Sequence, residues 1–199
     1  MYLTLLALLP GILIVIYIFR VDKMEREPVG LLIKLIILGA VSCAPAAFLE
    51  SGMESILPSF KEGSFMNAIT VAFLVAGLIE ELCKFFFLKI GSWRDRAFNC
   101  TFDGVVYGVS AAIGFACLEN VMYVLEGGVE TALLRAVLSV PLHAFCGAFM
   151  GAFYGRAKKA QVAGNKSKCT SLQVTGIIVA IMIHGIYDTL AMWDSDTAF

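Results

Sequence analysis

Six long apolar segments run through the sequence and constrain its fold more than any other feature. Each is about 20 residues long, the length that a helix needs to cross the hydrocarbon core of a bilayer. Hydrophobic residues make up 59% of the 199-residue chain and charged residues only 16%, whereas soluble domains have about 25% charged residues. The sequence therefore predicts an all-α, polytopic membrane helix bundle that forms a single domain over residues 1–199. The predicted spans are 2–19, 29–49, 66–90, 104–125, 131–155 and 172–193.

The distribution of Lys and Arg between these spans predicts the orientation of the bundle. Loops 20–28, 91–103 and 156–171 are rich in Lys and Arg, whereas loop 50–65 has one such residue and loop 126–130 has none. Because basic loops tend to stay in the cytoplasm, the N-terminus and the C-terminus are both predicted to be extracytoplasmic. The protein itself is predicted to lie in the cell membrane. The first segment has no basic region before it, which favours an uncleaved anchor over a signal peptide.

Charge and cysteine content exclude other classes of protein. The net charge of −1 argues against a nucleic-acid partner. The six cysteines form no C-x-x-C pair, and their scatter gives no sign of a disulfide framework.

Glycines recur at intervals of four in two of the predicted spans. Gly104 and Gly108 lie in the fourth span, and Gly147, Gly151 and Gly155 lie in the fifth. Small residues at this spacing let helix backbones approach closely, so the pattern predicts tight helix packing.

Ionisable side chains also occur inside the apolar segments, where each costs roughly 2.5–3.5 kcal/mol on insertion scales. At 1.5 Å per residue, Glu80, His143 and His184 lie about 21, 18 and 15 Å below the outer ends of their spans. Glu119 and Asp188 lie about 9 Å below theirs, so four helices direct polar groups to one zone. The complete set within the spans is Glu80, Glu81, Lys84, Glu119, Asn120, Arg135, His143, His184 and Asp188.

The charges of this set do not balance. Four acids against Lys84 and Arg135 leave a charge of −2 when both histidines are neutral, which the lipid core would not tolerate uncompensated. Either two of the acids are protonated or a divalent cation is bound. Two imidazoles with one or two carboxylates form a suitable ligand set for zinc, and carboxylate-rich ligation also admits other divalent metals.

Several functions are compatible with such a cluster. A buried glutamate beside a metal or a histidine can deprotonate water, and Lys84, Arg135 or a histidine could stabilise an oxyanion. Covalent catalysis has less support, because the sequence lacks a G-x-S-x-G elbow. Acid–histidine relays also occur in proton-coupled transporters, and a non-catalytic scaffold or receptor is a third alternative. Taken singly, each polar residue could instead be a structural hydrogen bond, an ion pair or a snorkelling side chain.

Three motifs resemble those of the PrsW family of membrane proteases. They are Glu80-Glu81-x-x-Lys84, Phe115-x-x-x-Glu119-Asn120 and His184-x-x-x-Asp188, and they occur in this order together with Asp103-Gly104, Arg135, His143 and the early Glu27-Pro28. The family is distantly similar to the type II CAAX prenyl endopeptidases. The resemblance implies cleavage of a single-pass anti-sigma factor on its extracytoplasmic side, which starts regulated proteolysis in a stress response.

The resemblance also implies roles for individual residues. The glutamate pair activates water, with Glu80 as the general base and Glu81 as a metal ligand or second acid. Glu119, His143 and His184 complete the predicted ligand set. Asp188 orients His184, since an aspartate one helical turn away can accept the ring N–H. Lys84 and Arg135 balance the charge of the acids.

Overall fold

In a computed structural model of the chain, residues 2–22, 26–58, 60–61 and 63–193 are described, and they contain helices and no strands. The predicted all-α fold is confirmed for this part of the chain. Most of the helices are long, as the extended apolar runs of the sequence require. They are α1 (Tyr2–Val21), α2 (Val29–Ile56), α3 (Phe65–Thr70), a π-helical segment (Val71–Gly77), α4 (Leu78–Ser92), α5 (Asp103–Val137), α6 (Ser139–Val162) and α7 (Lys166–Trp193).

The predicted span 66–90 is not a uniform α-helix. It begins at α3, where the hydroxyl of Ser64 accepts a hydrogen bond from the backbone N–H of Asn67 at 3.2 Å and caps the first turn. The π-helical segment follows and leads directly into α4. Such wider turns are uncommon and frequently occur at functional sites. Here the segment ends three residues before Glu80.

The helices α5 and α6 pack as an antiparallel pair through their glycines. A Cβ atom added to Gly104 would lie 2.5 Å from the carbonyl oxygen of Gly151, and one added to Gly108 would lie 2.2 Å from that of Gly147. These distances leave no space for a side chain, so the two backbones are in direct contact. The packing predicted from the glycine spacing is confirmed, and it fixes Glu119 of α5 relative to His143 of α6.

The helix α5 bends sharply at Gly128, which has a φ of +74° and a ψ of −152°. Glycine adopts this conformation without the steric penalty that a Cβ atom brings. The chain after the bend, residues 129–137, folds back so that Arg135 contacts Glu119 and Asn120 of the same helix. We call residues 129–137 the α5 arm. The prediction of a loop at 126–130 and of a new span from residue 131 was therefore wrong in detail, because α6 begins only at Ser139.

Aromatic side chains pack the end of the bundle near the α4–α5 connection. The ring centroid of Tyr154 lies 5.1 Å from that of Phe98 and 5.0 Å from that of Trp93, and Tyr107 packs against Phe98 at 5.3 Å. Tyr107, Phe98 and Tyr154 are all buried. This cluster fixes α4, α5 and α6 relative to one another at one end of the bundle.

Four stretches of the described chain are long and apolar enough to cross a membrane: Leu3–Val21, Val29–Ile56, Asp103–Val162 and Lys166–Trp193. The third of these is 60 residues long and contains the antiparallel α5–α6 pair. The count of six spans and the extracytoplasmic location of both termini remain predictions. Residues 194–199, which form the predicted C-terminal tail, lie outside the described residues.

Candidate active site

The ammonium group of Lys84 lies among three of the predicted site residues. Its Nζ atom donates hydrogen bonds to Glu80 Oε2 at 2.9 Å and to Glu81 Oε1 at 2.8 Å. The same atom lies 3.0 Å from His143 Nδ1, which accepts a hydrogen bond from the ammonium. Glu80 and Lys84 share a face of α4 because they are four residues apart, and Glu81 borders that face. The helix thus brings its own acids together with a histidine of α6.

A second group of contacts extends from the other nitrogen of His143. Because Nδ1 accepts from Lys84, the ring proton is on Nε2, which donates to Glu119 Oε2 at 2.9 Å. Arg135 of the α5 arm donates to the same oxygen from Nη2 at 2.7 Å, and its Nε donates to Asn120 Oδ1 at 2.9 Å. Glu119 therefore orients His143 and is itself held by Arg135.

His184 differs from His143 in having a carboxylate at each ring nitrogen, whereas His143 has Lys84 at Nδ1 and Glu119 at Nε2. Its Nδ1 lies 2.8 Å from Glu81 Oε1, and its Nε2 lies 3.2 Å from Asp188 Oδ2. Glu80 Oε2 is 3.8 Å from Nε2. The two imidazole rings are nearly perpendicular, with centroids 5.2 Å apart. The four-residue spacing of His184 and Asp188 on α7 produces the contact between them.

The inner part of the cluster is sealed from solvent, while its outer part borders a cavity. Glu81 is fully buried, and Lys84, His143 and His184 are 2–3% exposed. The side chains of Glu119, Arg135 and Asp188 are 14–15% exposed. A cavity of about 210 Å³ is lined by Glu80, Glu119, Arg135, His143, His184 and Asp188, among others. Lys84 and Glu81 are not in its wall, so they lie behind Glu80.

A second cavity, of about 430 Å³, extends from Glu80 and Glu119 towards α2. Both cavities contact Glu80 and Glu119, so these two carboxylates lie where the cavities meet. A bound peptide could extend to either side of Glu80.

The geometry of the donor atoms meets the requirements of a metal site. Glu80, Glu81, His143 and His184 are all buried and offer ligand atoms that lie within 4.8 Å of one another. Glu81 Oε2 is buried and accepts no hydrogen bond from the described residues, so it has a free lone pair inside the bundle. Carboxylates and imidazoles are donors that zinc accepts, and Glu119 and Asp188 supply the carboxylates that usually orient metal-binding histidines. The residues therefore fit a divalent metal.

The four buried residues with ligand atoms close together, which we call the donor group, are Glu80, Glu81, His143 and His184. This group differs in one member from the predicted ligand set. Glu119 was predicted as a ligand, but the structure places it beyond His143, where it contacts Nε2. Glu80 takes the fourth place in the group instead. All eight predicted site residues nevertheless lie in one connected cluster.

Two parts of the site were missed by the sequence analysis. Asn120 was recognised as a polar residue in an apolar helix but was given no role, although it is fully buried and links Arg135 to the backbone of α1. Phe115 was noted only as part of a motif, yet its ring lies 4.2 Å from Lys84 Nζ. Phe115 lies four residues before Glu119 and so shares a face of α5 with it, which is the signal that was available for Phe115.

Known proteins are similar in sequence to this chain over most of its length. Residues 27–199 match the sequence profile of the PrsW family intramembrane metalloproteases. The chain belongs to the PrsW family.

Curated PrsW proteins from several bacteria support this membership. The chain is 35% identical to Protease PrsW of Bacillus subtilis (strain 168) over 179 residues, which are 90% of this chain and 78% of the relative. It is 31% identical to Protease PrsW of Halalkalibacterium halodurans over 194 residues, covering 97% of this chain and 85% of that protein. The Geobacillus kaustophilus protein of the same name is 32% identical over 183 residues. No solved structure matches the chain.

Family membership and the apolar helices both indicate a membrane protein. The PrsW relatives are membrane proteases, and the described chain has four stretches able to cross a membrane. The chain is therefore a multi-pass membrane protein of a protease family.

Proposed function

We propose that this PrsW protein is a membrane endopeptidase in which Glu80 is the general base that activates water. One observation carries the proposal: Glu80 belongs to the buried donor group and also lines both cavities. A general base must lie within hydrogen-bond reach of the water from which it takes a proton. Glu80 meets this requirement better than Glu81, which is fully buried behind it.

A bound divalent metal, zinc, is part of the proposal. Glu81, His143 and His184 would hold it, since they belong both to the predicted ligand set and to the compact donor group. Bound there, the metal would supply Lewis-acid polarisation of the water and of the substrate carbonyl. The protein's own contribution is to keep the donors dry and oriented, with Glu119 on His143 and Asp188 on His184.

Arg135 is the candidate for stabilising the charge that develops on the substrate oxygen. It lines the cavity beside Glu80 and His143, whereas Lys84 lies outside the cavity wall. Preorganised donors at a developing oxyanion contribute a large share of catalysis in peptide hydrolysis. Lys84 balances the charge of Glu80 and Glu81 from behind.

The proposed substrate is a single-pass membrane regulator of the anti-sigma factor class, cleaved on its extracytoplasmic side. The motifs that resemble the family support this substrate, and the predicted orientation places the polar groups towards the outer face. Cleavage would then initiate regulated proteolysis and release of the sigma factor. The lipid bilayer is the protein's other expected partner.

Cleavage by purified protein in lipid vesicles tests the proposal. We expect Glu80→Gln to abolish cleavage of a co-reconstituted anti-sigma factor while the helix content and elution volume stay unchanged. Glu130→Gln is the matched control, because Glu130 is an exposed acid of the α5 arm and contributes nothing to the cluster. Full activity of Glu80→Gln would exclude Glu80 as the base. Absence of any cleavage, with uptake driven by a pH gradient instead, would favour a proton-coupled transporter.

A further inference from the structure

The position of Lys84 is unusual for a residue that only balances charge. An ammonium group has three N–H donors, and Nζ has three close partners: Glu80 Oε2, Glu81 Oε1 and His143 Nδ1, at 2.8–3.0 Å. These partners are three of the four members of the donor group that could hold a metal. All three N–H groups of the ammonium thus donate to atoms that a metal ion would need as ligands.

The surroundings keep the ammonium at this position. Lys84 is only 2% exposed, and the centroid of the Phe115 ring lies 4.2 Å from Nζ. A cation over an aromatic face is stabilised further when it is desolvated. The side chain is thus held at the donor group.

We propose that Lys84 is a built-in cation that competes with the metal for the donor group and thereby sets the metal affinity of the site. The inference rests on the proposed function, because it concerns regulation of the metal site described there. A metal ion needs the lone pairs of Glu81 and His143 that now accept hydrogen bonds from Lys84. The two cations also repel each other at a few ångströms in a site that is buried from solvent.

The competition has a direct consequence for the metal-free protein. Without metal, the ammonium holds Glu80, Glu81 and His143 in place and offsets part of the charge of the acids. When metal binds, Lys84 must give up its contact with His143 and move away from the ligand atoms. The ligand atoms are therefore held in place in the metal-free protein, and metal binding is weaker than the donor set alone would give.

Titration of the metal-free, full-length protein in detergent with Zn²⁺ and Co²⁺ tests this inference. We expect Lys84→Met to bind either ion at least tenfold more tightly than the unchanged protein, because it removes the competing charge. Lys84→Arg keeps the charge and should bind with an affinity close to that of the unchanged protein. Lys89→Met serves as the control on the same helix, since Lys89 contacts Gln173 outside the site. A gain in affinity cannot result from mere damage to the fold.

Thermal unfolding provides the second measurement, in case Lys84→Met is unstable without metal. The variant should then recover its elution volume and unfolding transition when Zn²⁺ is added, with a larger shift than the unchanged protein shows. Lys84→Met binding metal equally or more weakly, or staying unfolded at every metal concentration, overturns the inference. If the unchanged protein binds metal and Lys84→Met gains nothing, only this inference fails. If neither binds metal, the metal part of the proposed function fails as well.

Discussion

Asn120 shows how one side chain can connect the candidate active site to a helix that is distant in sequence. Its amide nitrogen donates to the carbonyl oxygen of Ala7 in α1 at 2.7 Å, and its oxygen accepts from Arg135 Nε at 2.9 Å. Because Asn120 is fully buried, no water replaces these bonds when they are lost. It therefore acts as a positioning residue for Arg135.

We expect Asn120→Ala to lower the free energy of unfolding by about 1–3 kcal/mol, the usual cost of leaving buried polar groups unpaired. Cleavage should also slow, because Arg135 loses a partner that fixes its position. Thermal unfolding and cleavage rates measure the two effects, with the exposed Gln161→Ala as control. An Asn120→Ala protein with unchanged stability would show that the buried bonds contribute nothing.

Glu27 lies between α1 and α2, outside the apolar stretches, and is only 3% exposed. The Tyr107 hydroxyl donates a hydrogen bond to its carboxyl group. Burial raises the pKa of Glu27 from 4.5 to about 7, and the nearby Asp103 and Asp22 add to the effect while Tyr107 opposes it. The folded protein thus holds a proton that the unfolded chain releases at a lower pH.

A raised carboxyl pKa stabilises the fold below pH 4.5, and this contribution is lost as the pH rises through about 7. Replacing Glu27 by Gln, a permanently neutral side chain, should therefore flatten the pH dependence of stability between pH 5 and about 8. Melting temperatures of both proteins across this range measure the difference. If the melting temperature varies equally with pH in Glu27→Gln and in the unchanged protein, the pKa of Glu27 is not raised.

The residues of the candidate site could be selected from the sequence because charged groups in apolar helices are costly and therefore rare. That rule selected Glu80, His143 and His184 without any knowledge of the fold. Spacing along one helix also predicted the contacts of Lys84 with Glu80 and of His184 with Asp188. Contacts between helices could not be predicted, because spacing within a helix does not say which neighbour it faces. The contact of Lys84 with His143 joins two helices and therefore could not be predicted.

At the scale of helices, the α5–α6 pair depends on the close approach of the two backbones that its glycines allow. A Cβ atom at Gly151 would lie 2.2 Å from the carbonyl oxygen of Gly104, a backbone atom that cannot move without moving the helix. We expect Gly151→Leu to separate the helices, lower the melting temperature by several degrees and reduce cleavage, because Glu119 and His143 lie on the two helices. Gly52→Ala is the control, since a Cβ at Gly52 meets nothing within 4 Å.

The control should be neutral or slightly stabilising, because Ala favours a helix over Gly by about 1 kcal/mol. Equal effects of the two substitutions on thermal unfolding would show that close packing is not what holds α5 to α6.

Two elements could not be predicted from the apolar pattern. The π-helical segment Val71–Gly77 has the same composition as an α-helix, and one wider turn leaves no mark in hydropathy. The bend of α5 had a signal in Gly127-Gly128, but a glycine pair is compatible with a loop as well as with a bent helix. The arm that follows the bend is what moves Arg135 from a predicted span boundary into the site.

For the molecule as a whole, the metal content decides between a metal-assisted mechanism and one that uses glutamate alone. The four acids and two cations of the cluster leave a charge of −2, which one divalent ion would neutralise. Elemental analysis of protein purified without a metal-affinity step should therefore give about one divalent ion per chain. His143→Ala should lose it, because His143 is one of the three proposed ligands. A metal-free protein whose activity is insensitive to chelators would indicate a mechanism that uses glutamate alone.

The bond between Asn120 and Ala7 has a consequence for how this protein can change in evolution. The acceptor is a backbone carbonyl, so every residue type at position 7 would present it equally well. What position 7 can accept is limited by the volume and polarity of its side chain, because Ala7 is fully buried in an apolar cluster. The connection of α1 to the site could thus be preserved through many generations of substitution, and pairwise covariation between positions 7 and 120 would not reveal it.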